Sequence, residues 1–305
     1  MISSTRFIRT HLANSHKKRA FLLNYIPDRE SKNKYIDFHY TPQDSYRLYL
    51  PPTITDIEFI YSCDGLVCLS NDRECNVIYL WNPSTKQFKM LPAPNKNLSG
   101  LHVFLGLGFD SISNDYKLLR IGFQYPRGVE AELYSLKANS WKEIQVPKTL
   151  LYTFPSKFVH VKPGILYLES GDKILAFDLH KEVFRLYTFP SIALSNVLDF
   201  EGHVTMAIKS RDGSARSLFV LNDVCGKESW TKLFDLDVKI ERVYHYLGTR
   251  EFIVRFVGER GLYFYDYKTR ETKKCDLQRS QRAMWAPIKY TESLVFVNGF
   301  EQQGH

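Results

Sequence analysis

The chain has 305 residues, 44% of them hydrophobic and 24% charged, which is the balance of a folded globular protein and argues against disorder. Its net charge of +8 comes from 41 Lys and Arg against 33 Asp and Glu, and admits a nucleic-acid partner only if the basic residues cluster. Five cysteines at scattered spacing argue against a secreted disulfide framework, and no apolar run approaches the roughly 20 residues that cross a bilayer. The 21 Phe and 19 Tyr lean the composition towards pleated, half-buried surfaces.

The first predicted element is a short helix over residues 3–15, capped by Ser3 or Ser4, with Phe7, Ile8 and Leu12 on one face. The densest basic cluster, His16-Lys17-Lys18-Arg19, follows as a turn. A looser group is Lys268, Arg270, Lys273, Lys274, Arg279 and Arg282. Most other charges alternate in sign, the pattern of a solvated surface.

From Phe21 onward the chain consists of short apolar or alternating runs broken by Gly, Pro, Asn and Asp. The absence of intervening helical periods argues against a doubly wound α/β fold. The runs repeat. One strand type starts after a turn glycine, as in Gly65-Leu-Val-Cys-Leu, Gly164-Ile-Leu-Tyr-Leu and Gly202-His-Val-Thr-Met. A second ends in Asn or Asp: Ile78–Asn82, Ile174–Asp178, Leu218–Asn222 and Leu262–Asp266. A polar turn and a strand bearing an aromatic residue follow (Phe88, Trp141, Phe184, Trp230). Asp178, Asn222 and Asp266 lie 44 residues apart, the period of four-stranded propeller blades.

The Asn and Asp have a local reason to be there, since their side chains bond the backbone two residues on and favour reversal. Pro83 suits the second position of such a turn. Five blades are predicted, near residues 57–92, 101–146, 154–189, 192–235 and 239–275. Strands at 20–26 and 35–40 are left to join 283–288 and 293–297 in a sixth, which closes the ring and removes its edges. The expected fold is therefore an all-β, six-bladed propeller, with seven blades as the alternative.

The residues point to no cofactor or metal. His203 and His245 are isolated, and Cys63, Cys68 and Cys75 lack zinc spacing. Gly106-Leu-Gly108 sits inside an apolar strand pattern with no helix after it, so a dinucleotide loop is not supported. Asp64 beside Gly65 reads as turn chemistry rather than as an acid catalyst. Trp81, Trp141 and Trp230 recur at similar places in the repeats and read as packing between blades, whereas Trp285 has no counterpart.

Four pieces in order carry a resemblance. They are Ser62-Cys-Asp-Gly-Leu-Val-Cys-Leu69 with Leu80-Trp-Asn-Pro-Ser-Thr-Lys86, then Leu107-Gly-Phe-Asp-Ser111, then Asp115-Tyr-Lys-Leu-Leu119, then Glu132-Leu-Tyr-Ser-Leu136 with Ser140-Trp-Lys142. Together they resemble the F-box-associated domain of plant F-box proteins, the S-locus and kelch-like kinds included, closely over residues 58–145 and more loosely to about 275. Its motif positions fall here on Asp64, Gly65, Trp81, Asn82, Pro83, Gly108, Phe109, Asp110, Tyr116 and Trp141, with Asp178, Trp230 and Asp266 in the later repeats.

Ile2 to Leu12 resembles the last helix of an F-box, so Phe7, Ile8 and Leu12 are the expected contacts of a Skp-type adaptor. About 30 residues that precede this helix in the family do not appear in the sequence. The resemblance accordingly implies adaptor and cullin partners only where a complete F-box is present. It divides the chain into the F-box helix and basic turn at 1–19, a propeller at 20–298 and a polar tail at 299–305.

The function expected is recognition of an unknown target protein on a propeller face, as the substrate-binding part of a cullin-based ubiquitin ligase without chemistry of its own. The expected setting is cytoplasmic or nuclear, with no membrane and no nucleic acid. The alternatives are a propeller-type hydrolase, which needs a polar cluster in the channel, and a basic nucleic-acid-binding propeller, which needs basic residues converging on one face.

Overall fold

The computed structural model describes residues 20–24, 35–39, 45–50, 53–54, 57, 59–70, 74–124, 128–150, 157–160, 164–170, 173–189, 195–210, 213, 216–224, 227–248, 250–275, 288–295 and 299–302. The chain begins with β1 (Ala20–Asn24), β2 (Tyr35–His39) and β3 (Ser45–Tyr49). Blade one follows as β4 (Phe59–Cys63), β5 (Leu66–Ser70), β6 (Ile78–Asn82) and β7 (Gln87–Met90). Blade two is β8 (His102–Asp110), β9 (Asp115–Gln124), β10 (Gly128–Ser135) and β11 (Ser140–Ile144). Blade three is β12 (Lys157–His160), β13 (Ile165–Ser170), β14 (Lys173–Asp178) and β15 (Val183–Thr188). Blade four is β16 (Ser195–Phe200), β17 (His203–Lys209), β18 (Arg216–Val224) and β19 (Lys227–Leu236). Blade five is β20 (Ile240–Tyr246), β21 (Glu251–Phe256), β22 (Leu262–Asp266) and β23 (Thr272–Cys275). The chain ends with β24 (Ile288–Tyr290) and β25 (Glu301–Gln302). A single 3₁₀ turn, Lys148–Leu150, is the only helical element among the described residues.

Each blade is an antiparallel meander whose first strand is innermost, and successive inner strands touch: β24 with β4, β4 with β8, β8 with β12, β12 with β16, and β16 with β20. The fold is the β-propeller that the repeat spacing predicts. Its core is a series of layers between blades. Val67 and Trp81 of blade one meet Ile36, Phe38 and Tyr290 of the closing sheet. Leu80 meets Leu107, Tyr134 and Trp141 of blade two, and Leu198 and Phe200 of blade four meet Val243 and Phe252 of blade five. Inner strands buried on both faces, such as Leu66–Ser70, therefore read as continuous apolar runs rather than alternating ones.

The closing sheet differs from the expectation of two strands from each terminus. Its order is β24-β1-β2-β3, one strand from the end of the chain against three from the beginning. Tyr290 pairs with Ala20 and Ile288 with Leu22. The segment expected as a strand at 293–297 is irregular over residues 291–295, because side chains of blade one take the hydrogen bonds of its backbone. β3, Ser45–Tyr49, just ahead of Pro51-Pro52, was not foreseen. Within the expected polar tail, Glu301–Gln302 pair with Phe88 and Gln87 as a fifth strand on blade one.

Asn222 does not end its strand. The β18–β19 hairpin runs two residues further, and Asn222 instead bonds Thr231 Oγ1 at 2.9 Å. The helix expected at 3–15, the basic turn that follows it and Trp285 lie outside the described residues.

Candidate interaction surface

The β4–β5 reversal is made by Asp64 and Gly65, with φ of 48° and 81°. Two left-handed residues make the hairpin turn whose twist suits the flanking strands. Space matters as much as φ at Gly65, because a Cβ there would stand 2.0 Å from Ser293 Cβ and 2.8 Å from Thr291 O. Asn82, fully buried, accepts from the backbone N–H of Ser84 and Thr85 through Oδ1 at 3.0 and 3.3 Å. Its Nδ2 donates to Ser293 O and Val295 O at 3.1 and 2.9 Å. The Ser84 hydroxyl meets that of Tyr290 at 2.8 Å. The motif around residues 62–86 is thus the clasp that receives the C-terminal segment and shuts the ring.

Asp110 repeats the turn chemistry in blade two, accepting from Ile112 N at 3.0 Å and Ser113 N at 3.3 Å. Ser113 Oγ at 2.7 Å and Lys117 Nζ at 3.0 Å also donate to it. Burial alone would raise its pKa, but the Ser113 hydroxyl, the Lys117 ammonium and the two N–H groups outweigh burial and hold the carboxyl well below the usual carboxylate range. Lys117 bridges to blade three, donating to Leu179 O at 2.7 Å and approaching Glu182 at 3.5 Å. His180 Nδ1 lies 3.3 Å from Asp110 Oδ2, and Lys142 donates to Glu182 at 2.6 Å. Gly108 lies below this network, and a Cβ there would meet Leu179 Cδ1 at 2.5 Å.

The network fastens the Asp110 turn, which carries Ile112 at 72% exposure, and the turn ahead of β15, whose first residue Val183 is 52% exposed. A second buried pair, Arg120 and Glu132 at 2.6 Å, anchors the connection between blades one and two, with Arg120 also donating to Glu74 O and Lys96 O.

The tryptophans do not share one position. Trp81 is on the third strand of its blade, Trp141 and Trp230 on the fourth. Trp141 Nε1 donates to Pro92 O at 2.8 Å and Trp230 Nε1 to Thr188 O at 3.2 Å, each reaching back towards the preceding blade. Trp81 is buried, and its Nε1 has no hydrogen-bond partner among the described residues. Phe109 and Tyr116 lie ring to ring at 4.8 Å beside the Asp110 turn. Asp178 and Asp266 hold turns as Asp110 does, each accepting two backbone N–H bonds from the residues two and three further on. Phe7, Ile8 and Leu12 fall outside the described residues.

Sequence reasoning missed Lys117, Arg120, Glu132 and His180. The signal available was a charged residue at an inward position of an otherwise apolar strand, as in Tyr116-Lys-Leu-Leu-Arg-Ile121. Burial raises the thiol pKa of Cys63 and Cys68 well above the ordinary value, which disfavours thiolates there. Among the described residues no three His, Cys, Asp or Glu are placed to hold a metal ion.

Ring, clasp and turns define the class as a β-propeller. The chain belongs to the F-box associated beta propeller domain family, which matches residues 10–299. It is 26% identical over 219 residues to the F-box protein CPR1 of Arabidopsis thaliana, covering 58% of this chain and 51% of that protein. It is 25% identical to the Arabidopsis thaliana F-box/LRR-repeat protein At2g43260, covering 97% of this chain and 75% of that one. The chain spans about half the length of most of the curated relatives it matches.

Among solved structures, it superposes on a chain of a nidogen/laminin complex with a TM-score of 0.54 at 11% identity, covering 90% of this chain and 99% of that one. TolB from Acinetobacter baumannii gives 0.51 at 12% identity, with 94% and 73% covered. These two show a shared fold alone. No helix among the described residues is long and apolar enough to cross a membrane.

Proposed function

We propose that this propeller is the target-recognition part of an F-box protein in a cullin-based ubiquitin ligase, binding a target protein without chemistry of its own, in the cytoplasm or nucleus. The observation that carries the reading, beside family membership, is the pair of exposed aliphatic side chains Ile112, on the Asp110 turn, and Val183, at the start of β15, next to the Asp110–Lys117–Glu182 network. Apolar groups held rigidly at a surface are what a protein partner buries, and a rigid support lowers the ordering cost of binding. Transfer of ubiquitin would be the ligase's work, and the propeller would supply proximity. Skp-type adaptor and cullin enter as partners through a complete F-box.

The test joins a complete F-box to the chain and follows the proteins it captures from plant cells. Captured proteins should be lost on Ile112→Asp with Val183→Asp, and their levels should fall only when the F-box is joined. An unchanged capture profile for the double variant, or levels indifferent to the F-box, would overturn the reading.

A further inference from the structure

The outer strand of each blade has one backbone edge turned away from its own sheet, and an open edge is a template for another strand. Blade one shows how such an edge is covered. β25 adds antiparallel to β7 and brings Glu301 there, while the Lys89 ammonium of β7 stands 3.4 Å from where a Cβ on Gly299 would lie. β23 is the outermost strand of blade five, and no strand covers it among the described residues.

The outer strands differ in charge. β11 carries exposed Lys142 and Glu143, and β19 carries Lys227 and Lys232 with Glu228 and Asp235. The cation of β15, Arg185, is paired with Asp223 at 2.6 Å. β23 reads Thr272-Lys-Lys-Cys275, with Lys273 and Lys274 exposed and no acid. Lys273 lies opposite Phe264 and Lys274 opposite Tyr263, so the two ammonium groups flank the edge from opposite faces. Lys268 and Arg270 of the preceding turn and Arg260 of the β21–β22 turn are exposed as well.

The carboxylates of this blade are engaged elsewhere. Asp266 pairs with Arg250 at 3.3 Å and Glu241 with Arg255 at 2.8 Å. Glu259 accepts from the Tyr263 hydroxyl at 3.1 Å and Glu271 from the Thr269 hydroxyl at 3.3 Å. Lys260s aside, the exposed cations Lys268, Arg270, Lys273 and Lys274 form no ion pair with a described residue. Lysines on an edge repel a basic strand, a second copy of β23 included, and leave an acidic one as the segment that fits.

We propose that the β23 edge is a docking strip for an acidic, extended segment of another protein, added as a fifth strand on blade five as β25 is added on blade one. Successive side chains of such a strand point to opposite faces, so two adjacent carboxylates meet Lys273 and Lys274 while the backbones pair. Lys268, Arg270 and Arg260 extend the field that draws the segment in. The strip is built from residues other than Ile112 and Val183, and the inference does not rest on the target-recognition reading.

The test is fluorescence anisotropy of the full chain with a labelled, blocked peptide Ser-Thr-Val-Glu-Glu-Val-Thr-Ser. Its counterpart with Lys-Lys for Glu-Glu and a labelled single-stranded oligonucleotide are measured beside it. The acidic peptide should bind more tightly than either, and less tightly as salt rises. Lys273→Glu with Lys274→Glu should weaken it by about tenfold or more and transfer binding to the Lys-Lys peptide. Lys273→Gln with Lys274→Gln decides, by loss of the acidic peptide alone, if the charge reversal does not fold. N-methylation of both Glu amides should abolish binding, because one of them must pair with β23. No binding of the acidic peptide, equal affinity in the double variants, tighter binding of the oligonucleotide or indifference to N-methylation overturns the proposal.

Discussion

Two buried tryptophans differ in one atom's fate. The indole N–H of Trp141 donates to Pro92 O at 2.8 Å, whereas that of Trp81 has no partner among the described residues although both rings are buried. Truncating either ring to Ala leaves a large cavity and should cost roughly 3–5 kcal/mol. Replacement by Phe separates the two cases. Trp81→Phe removes an unmet donor together with some packing. Trp141→Phe strands the Pro92 carbonyl, and should cost about 1 kcal/mol more. Urea unfolding midpoints of the two variants provide the comparison, and equal midpoints would show that the Trp81 N–H is satisfied. The residue scale also explains the glycines of the motifs: Gly65 and Gly108 leave room for Ser293 and Leu179 of other blades, a constraint that appears only once the ring is assembled.

At the scale of the element, β24 and the irregular segment after it are held by side chains distant in sequence. Asn82→Ala removes the donor to Ser293 O and Val295 O and frees two N–H groups of its own turn, and should cost about 1–3 kcal/mol. Truncation before Ile288 should do more, leaving β1 paired with β2 alone and the ring open. Light scattering and a broadened melt of the truncated chain would register this, and an unchanged midpoint with a monomer would mean that closure does not need β24. The five whole blades were legible because their hairpins carry local turn chemistry at Asp110, Asp178 and Asp266 and apolar strands between. The closing blade was half legible: β1 and β2 have the pattern, but pairing of residue 22 with residue 288 is decided by topology, to which no local period testifies. The surface was less legible. Lys117, Arg120 and Arg216 function through neighbours supplied by adjacent blades, and an isolated charged residue in an apolar run does not reveal its partner.

For the molecule as a whole, the link between blades two and three should set its acid limit. The folded Asp110 carboxyl ionises below its unfolded counterpart, so its contribution is present above the unfolded pKa of about 4 and is lost as pH falls through the folded value. Stability of the native chain should fall between about pH 5 and pH 2 more steeply than that of Asp110→Asn, which is less stable at neutral pH and nearly level with it in acid. Parallel slopes for the two proteins in circular dichroism melts would remove Asp110 from the account. The order in which the ring is joined has a consequence for its synthesis. β1 leaves the ribosome with its partner strand still untranslated, and the 264 residues from Asn24 to Ile288 take roughly 13–50 s at usual elongation rates. Through that interval the first three strands wait with an open edge, in need of chaperone cover. Because β24 lies 264 residues beyond β1, a nascent chain interrupted anywhere between the two keeps that edge open and never completes its circle.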